Sequence, residues 1–158
     1  MKWIFTDVDG VLTDGRVQID VYGNETKTIS YRDLDAIGVG RRSGYDFVFV
    51  TGEDTEMVKV LAKRFGVEAV YSGAKDKVPV ITKVAERLGI DISEILYIGD
   101  SDRDVPVLEI CGFGISPRNG TIKAKLAANY VTEVNGGHGV LLEVVDRLIS
   151  GKLTYPGK

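Results

Sequence analysis

MKWIFTDVDGVLTDG, residues 1–15, carries an apolar run that ends abruptly in carboxylates: Trp3, Ile4 and Phe5, then Asp7 and Asp9, then Asp14 beyond Gly10. Two like unit charges about 4 Å apart repel by about 4 kcal/mol at an effective dielectric of 20. Either something positive gathers these acids, or the segment is a solvated loop. A calcium loop starting at Asp7 is excluded, because its fifth and sixth positions need an acid or amide and a glycine. Here they are Val11 and Leu12.

The rest of the chain repeats the pattern of an apolar run followed by a helical period. Residues 2–7 read as a buried strand. Two short segments around Gly23-Asn24, VQIDVY and KTISYR, suggest a protruding β-hairpin. LDAIGVGRRSG reads as a glycine-weakened helix. DFVFVTG (46–52) is a second buried strand. TEMVKVLAKRFG spaces Met57, Leu61 and Phe65 for one helix face and stops at Gly66. EAVYSG follows as a strand. DKVPVITKVAERLG is a helix with Pro79 near its start and Gly89 past its end. ILYIGD (95–100) is a strand, and residues 102–110 begin another helix. GFGIS and NYVT are short strands around TIKAKLAAN, and GVLLEVVDRLIS is a closing amphipathic helix. Such alternation argues for an α/β fold, a Rossmann-like parallel sheet flanked by helices. In such sheets ligands bind beyond the carboxyl ends of the strands. Asp7 and Asp9, Thr51-Gly52, Lys77 and Asp100 all fall at that edge.

Composition narrows the classes. The chain has 158 residues, 44% hydrophobic and 27% charged, with net charge −3 and one cysteine, Cys111. This is one globular domain, expected over 1–151, with the tail 152–158 outside the packed core. With no basic run, nucleic acid is not an expected partner. No stretch approaches the roughly 20 apolar residues of a membrane span, and the few apolar residues before Asp7 are too short for a signal peptide. A lone cysteine in an apolar run fits a core position in a reducing, cytoplasmic setting.

Acids from separate strands, Asp7 and Asp100 with Asp104 nearby, suit a hard cation such as Mg²⁺ that takes oxygen ligands. A carboxylate beside such an ion and a lysine can attack phosphorus. Charge on the transferred phosphoryl oxygens then calls for Lys77, the Thr51 hydroxyl and backbone N–H groups. A second carboxyl two residues on, Asp9, would face the leaving oxygen as general acid and then base.

DVDGVLTDG, VTG, the lysine of GAKDK and GDSDRD resemble, in order, the four motifs of the haloacid-dehalogenase-like phosphohydrolases. The resemblance covers essentially the whole chain. It implies Asp7 as nucleophile and Asp9 as acid/base. It implies Thr51, Gly52 and Lys77 at the phosphoryl group. Asp7, the Asp9 carbonyl and Asp100 would hold Mg²⁺, with Asp104 supporting it. Neither residues 15–50 nor 52–76 can house a cap domain. The chain is therefore similar to the capless branch, close to the phosphatases of 3-deoxy-D-manno-octulosonate 8-phosphate and of nine-carbon sugar-acid 9-phosphates. That likeness implies a homotetramer whose hairpins pair between subunits and close each open site, acting on a small phosphorylated metabolite. Glu53 stands where the octulosonate enzymes carry arginine and the nine-carbon branch glutamate. Arg64, Arg32 and the only histidine, His138, are further candidates for substrate contact, and Asp33 for the pocket or a subunit contact.

Two other functions fit parts of the pattern. A phosphorylation-controlled receiver domain uses similar groups in a different chain order and has no need of Asp9. A non-catalytic module of the same fold, associated with sugar-nucleotide synthesis, would not require the full acid set.

Overall fold

The computed structural model describes residues 1–153. Six strands form one parallel sheet: β1 (Trp3–Thr6), β4 (Asp46–Val50), β5 (Val70–Tyr71), β6 (Ile95–Ile98), β7 (Phe113–Ser116) and β8 (Tyr130–Val131), in the order β5-β4-β1-β6-β7-β8. β1 lies between β4 and β6, with Phe5 level with Val48 and with Tyr97. The chain leaves β1 for one side of the sheet and later returns to the other, so the carboxyl end of β1 is the point where the strand order switches. Crevices open at such points.

Pleating assigns the strand residues to two cores. Ile4, Phe47, Phe49, Leu96 and Ile98 face α1 (Tyr31–Arg42), α2 (Glu56–Phe65) and α6 (Val140–Ile149). Phe5, Val48, Val50, Ile95 and Tyr97 face α3 (Lys77–Leu88), α4 (Val105–Ile110) and α5 (Ile122–Ala127). Burial on both sides is why these strands read as unbroken apolar runs. The α2 stripe behaves as its spacing implies: Leu61 and Phe65 are buried, and Phe65 meets Phe49 edge-on at 5.7 Å between ring centroids. Gly66 and Gly89 end α2 and α3 in the left-handed conformation. Among the described residues no cap domain interrupts the sheet, and no helix is long and apolar enough to cross a membrane.

Several expectations need correction. The hairpin is present, but its strands β2 (Gln18–Ile19) and β3 (Glu25–Thr26) have two residues each, and β3 lies before the expected second arm, residues 27–32, none of which is in a strand. Ser30-Tyr31-Arg32, expected in its second arm, instead opens α1: the Ser30 side chain accepts from the Arg32 N–H, and Asp33 adds an acid to the first turn. α4 begins at Val105 rather than 102, because residues just before it form the turn that carries Asp104. The packed chain also runs past residue 151. Leu153 is 7% exposed and belongs to the core beneath α6, while residues 154–158 of the expected tail lie outside the described residues.

Candidate active site

The ends of β1, β4 and β6 and the start of α3 enclose a cleft of about 580 Å³. Asp7, Asp9, Thr51, Gly52, Glu53, Lys77 and Asp100 all line it. At its floor Lys77, 3% exposed, reaches Asp7 Oδ2 at 2.7 Å and Asp104 Oδ1 at 2.6 Å. Lys77 is the first residue of α3, the wrong end of a helix dipole for a cation. Asp76 caps that helix and two buried carboxylates hold the ammonium. They keep Lys77 protonated: burial works against the charge, but Asp7 and Asp104 outweigh it and raise its pKa.

Asp104 is fully buried and saturated. Its Oδ1 accepts from Lys77 and from the Tyr97 hydroxyl at 2.5 Å; its Oδ2 accepts from the N–H groups of Asp100 and Ser101 and from the Ser101 hydroxyl. Burial alone would raise its pKa, yet Lys77 and these donors bring it below the ordinary value. Asp104 is therefore a brace that orders the Asp100 loop and Lys77, and it sits at the cap position before α4.

One ammonium cannot neutralise this group. Carboxylate oxygens of Asp7, Asp100 and Asp104 lie within 4.8 Å of one another. Two of these carboxyls are held above the ordinary carboxylate range, burial being the first cause in each. Burial, with a further push from Asp104 against the pull of Lys77, lifts Asp7 to about 7. Burial and Asp104 lift Asp100 to about 6. Such a set of hard oxygen donors fits a divalent cation. Gly10 keeps the approach open: its φ is +82°, and a Cβ there would fall 2.0 Å from Asp100 Oδ2.

Above the floor, the Thr51 side chain is buried and its hydroxyl accepts from the Glu53 N–H. Asp9 is tilted away from Lys77: its Oδ1 accepts from the Thr13 hydroxyl and pairs with Lys27 at 2.9 Å. Lys27, just beyond β3, also reaches Glu53 at 3.3 Å, so the hairpin is tied across the cleft to both walls.

Four candidates lie elsewhere. Arg64 stacks on the Tyr31 ring and donates to its hydroxyl at 3.1 Å, outside the cleft. Arg32 does not line the cleft; its side chain runs beside Gly139. His138 Nδ1 lies 2.8 Å from the Gly136 carbonyl oxygen, within its own loop. Asp33 is buried and caps α6, where Gly139 has no side chain to do so: Oδ1 accepts from the N–H groups of Leu141 and Leu142. Conversely, the sequence reading missed Arg103, which lines the cleft, and Lys27, which holds two of its lining residues, Asp9 and Glu53. Arg103 sits inside GDSDRD, and its guanidinium passes 3.7 Å from where a Gly52 Cβ would be. Lys27 carried no local signal, because what gives it meaning is a fold-back of the hairpin.

Residues 66–144 match the family model of haloacid dehalogenase-like hydrolases. The chain is also 30% identical over 155 residues to the 3-deoxy-D-manno-octulosonate 8-phosphate phosphatase KdsC of Escherichia coli strain K12, covering 97% of this chain and 82% of that one. The chain belongs to the haloacid dehalogenase-like hydrolases. Solved structures agree on the architecture of this hydrolase. The 3-deoxy-D-manno-octulosonate 8-phosphate phosphatase of Moraxella catarrhalis, in complex with a magnesium ion, a phosphate ion and a KDO molecule, superposes with a TM-score of 0.88 at 31% identity, covering 97% of this chain and 94% of that one. The Yersinia pestis enzyme of the same name gives 0.89 at 29% identity, covering 97% and 84%. These relatives of the hydrolase are phosphatases.

Proposed function

We propose that this chain is a Mg²⁺-dependent phosphomonoesterase acting through an aspartyl-phosphate on Asp7. Its substrate is a sugar phosphate of the 2-keto-3-deoxy sugar-acid class, of the octulosonate 8-phosphate or nonulosonate 9-phosphate type. The observation that carries this is the cluster of Asp7, Asp100 and Asp104, two of them buried, over a single ammonium, Lys77. Asp7 and Asp100, with the Asp9 carbonyl, would hold the cation, and Asp104 would brace them. A bound Mg²⁺ would supply positive charge to the phosphoryl oxygens.

The chain's own groups account for the rest. Lys77 and the Val8 N–H, which donates to Asp7 Oδ1 at 2.7 Å, fix the nucleophile. Thr51, Gly52 and Lys77 border the place where three phosphoryl oxygens would sit. Asp7 attacks phosphorus while Asp9 gives a proton to the leaving sugar oxygen. Asp9 then takes a proton from the water that releases phosphate. Asp9 is held clear of the cluster, as a residue that must gain and lose a proton requires. The hairpin tip exposes Ile19, Val21 and Tyr22, apolar surface that supports the homotetramer implied by the family. Its phosphorylated substrate and single thiol suit the cytoplasm.

The test is phosphate release from a series of sugar phosphates, including eight- and nine-carbon 2-keto acids, with Mg²⁺ or with chelator. Turnover should need the cation, and Asp7→Asn should reduce it to background while the protein stays folded. An Asp7→Asn variant as fast as the wild type would sink the mechanism. A blank screen would favour the non-catalytic module.

A further inference from the structure

The turn between β6 and α4 sends successive side chains in different directions. Asp104 meets Lys77 and Tyr97, Asp102 pairs with Lys123 at 3.0 Å, and Arg103 extends into the cleft. Donors from Asp100 and Ser101 hold the turn to Asp104, so the base of the arginine is fixed. Its guanidinium, in contrast, has no hydrogen-bond or ion-pair partner among the described residues. The acids of the same cleft are engaged elsewhere: Glu53 pairs with Lys27, and Asp54 accepts from the Ser72 hydroxyl at 2.8 Å. The described residues lining the cleft include six acids and two cations, Lys77 and Arg103. Lys77 is committed to Asp7 and Asp104. Arg103 is the cation whose donors are free.

Its place is equally specific. Arg103 follows β6 and Gly52 follows β4, while β1, which leads to Asp7, lies between those strands. The arginine Nη1 nonetheless comes within 3.7 Å of the position a Gly52 Cβ would take. The side chain thus reaches from one wall of the cleft to the other, past the strand end that carries Asp7. We propose that Arg103 is a substrate-contacting residue that donates to the phosphoryl oxygens alongside Thr51, Gly52 and Lys77. This rests on the aspartyl-phosphate reading above and adds a residue to it. A guanidinium carries five donors in a rigid fork that matches phosphate oxygens two at a time. A phosphate monoester entering among six acids is repelled by the walls and gains most from the one free cation. As an Asp7 oxygen bonds to phosphorus and the sugar oxygen departs with the proton from Asp9, Arg103 supplies positive charge to the oxygens that neither attack nor leave.

Arg103→Met removes the charge from an exposed position, so the fold should be kept. With Mg²⁺ present, calorimetric binding of inorganic phosphate should weaken about tenfold. The ratio kcat/KM should fall about 10²-fold for p-nitrophenyl phosphate and for sugar phosphates alike. Binding of Mg²⁺ alone and the melting temperature should equal those of the wild type. Arg103→Lys should regain only part of the loss, because an ammonium lacks the fork. Arg103→Gln, read in the same way, stands in if the methionine variant does not fold. Three results overturn the role. The first is wild-type phosphate affinity and kcat/KM in Arg103→Met. The second is a loss confined to substrates bearing a carboxylate, which would put the guanidinium at the sugar acid instead. The third is weakened binding of Mg²⁺ alone, which would make Arg103 a support for Asp100. A wild-type protein that neither binds phosphate with Mg²⁺ nor releases it from any ester counts against the phosphatase reading itself, not only against Arg103.

Discussion

Gly10 illustrates how narrowly this site is built. It combines a left-handed φ of +82° with a contact in which any Cβ would strike the Asp100 carboxylate. Gly10→Ala therefore meets two costs, about 1–3 kcal/mol of backbone strain and displacement of a cation-binding acid. The variant is expected to melt at a lower temperature and to need more Mg²⁺ for half-maximal turnover, by titration of phosphate release against the cation. Unchanged half-saturation would mean that Asp100 does not face the ion. The same residue shows what the sequence could and could not disclose. DVDG located an acid-rich strand end, and four motifs in register located the floor of the cleft. The close approach of Gly10 to Asp100, ninety residues away in chain order, emerges only from the fold.

Among the elements, α6 depends on a residue from α1. Its first residue follows Gly139 at φ +100°, which offers no capping oxygen, and Asp33 fills that role across the α1–α6 contact at 2.7 Å to the Leu141 N–H. The reading of Asp33 as a pocket or subunit residue failed because a cap supplied from a distant helix leaves no local pattern; the usual signal lies within the capped helix itself. Strand and helix identities were legible because both faces of the sheet are covered and the apolar runs are unbroken. The lengths of β2 and β3 were not, since Ser30 and Asp33 favour a helix start that competes with a longer hairpin. Asp33→Ala is expected to destabilise the protein by about 1–3 kcal/mol in denaturant unfolding, the cost of stranding buried donors. Burial lifts the Asp33 carboxyl to about 6, so its ionised form is the disfavoured one in the folded protein. Asp33→Asn keeps an accepting oxygen and carries no charge. It should match the wild type below about pH 4 and equal or exceed it above pH 7. A loss as large as that of the alanine variant would show that the cap needs the carboxylate charge.

For the whole molecule, the governing quantity is the negative charge collected where the strand order switches. Burial lifts Asp7 to about 7 and Asp100 to about 6, and it lifts Asp33, in the first turn of α1, to about 6 as well. In an unfolded chain these carboxyls titrate near 4. Between about pH 4 and 7 the folded state consequently binds more protons than the unfolded one, and stability must fall as pH rises through that window. The contribution of these groups is complete below about 4 and is gone once the pH passes the folded values. A divalent cation among Asp7 and Asp100 competes with the same protons, so its stabilisation should grow as they leave. In chelator, the melting temperature is expected to drop steadily from pH 5.5 to 7.5. Saturating Mg²⁺ should raise it strongly at pH 7.5 and little at pH 5.5, flattening the profile. Calorimetric melts at four or five pH values, with and without the cation, decide the matter. A Mg²⁺ effect of equal size at both ends of the range would remove the ion from among these acids, and with it the reason the fold tolerates two buried carboxylates and a half-buried third beside one lysine.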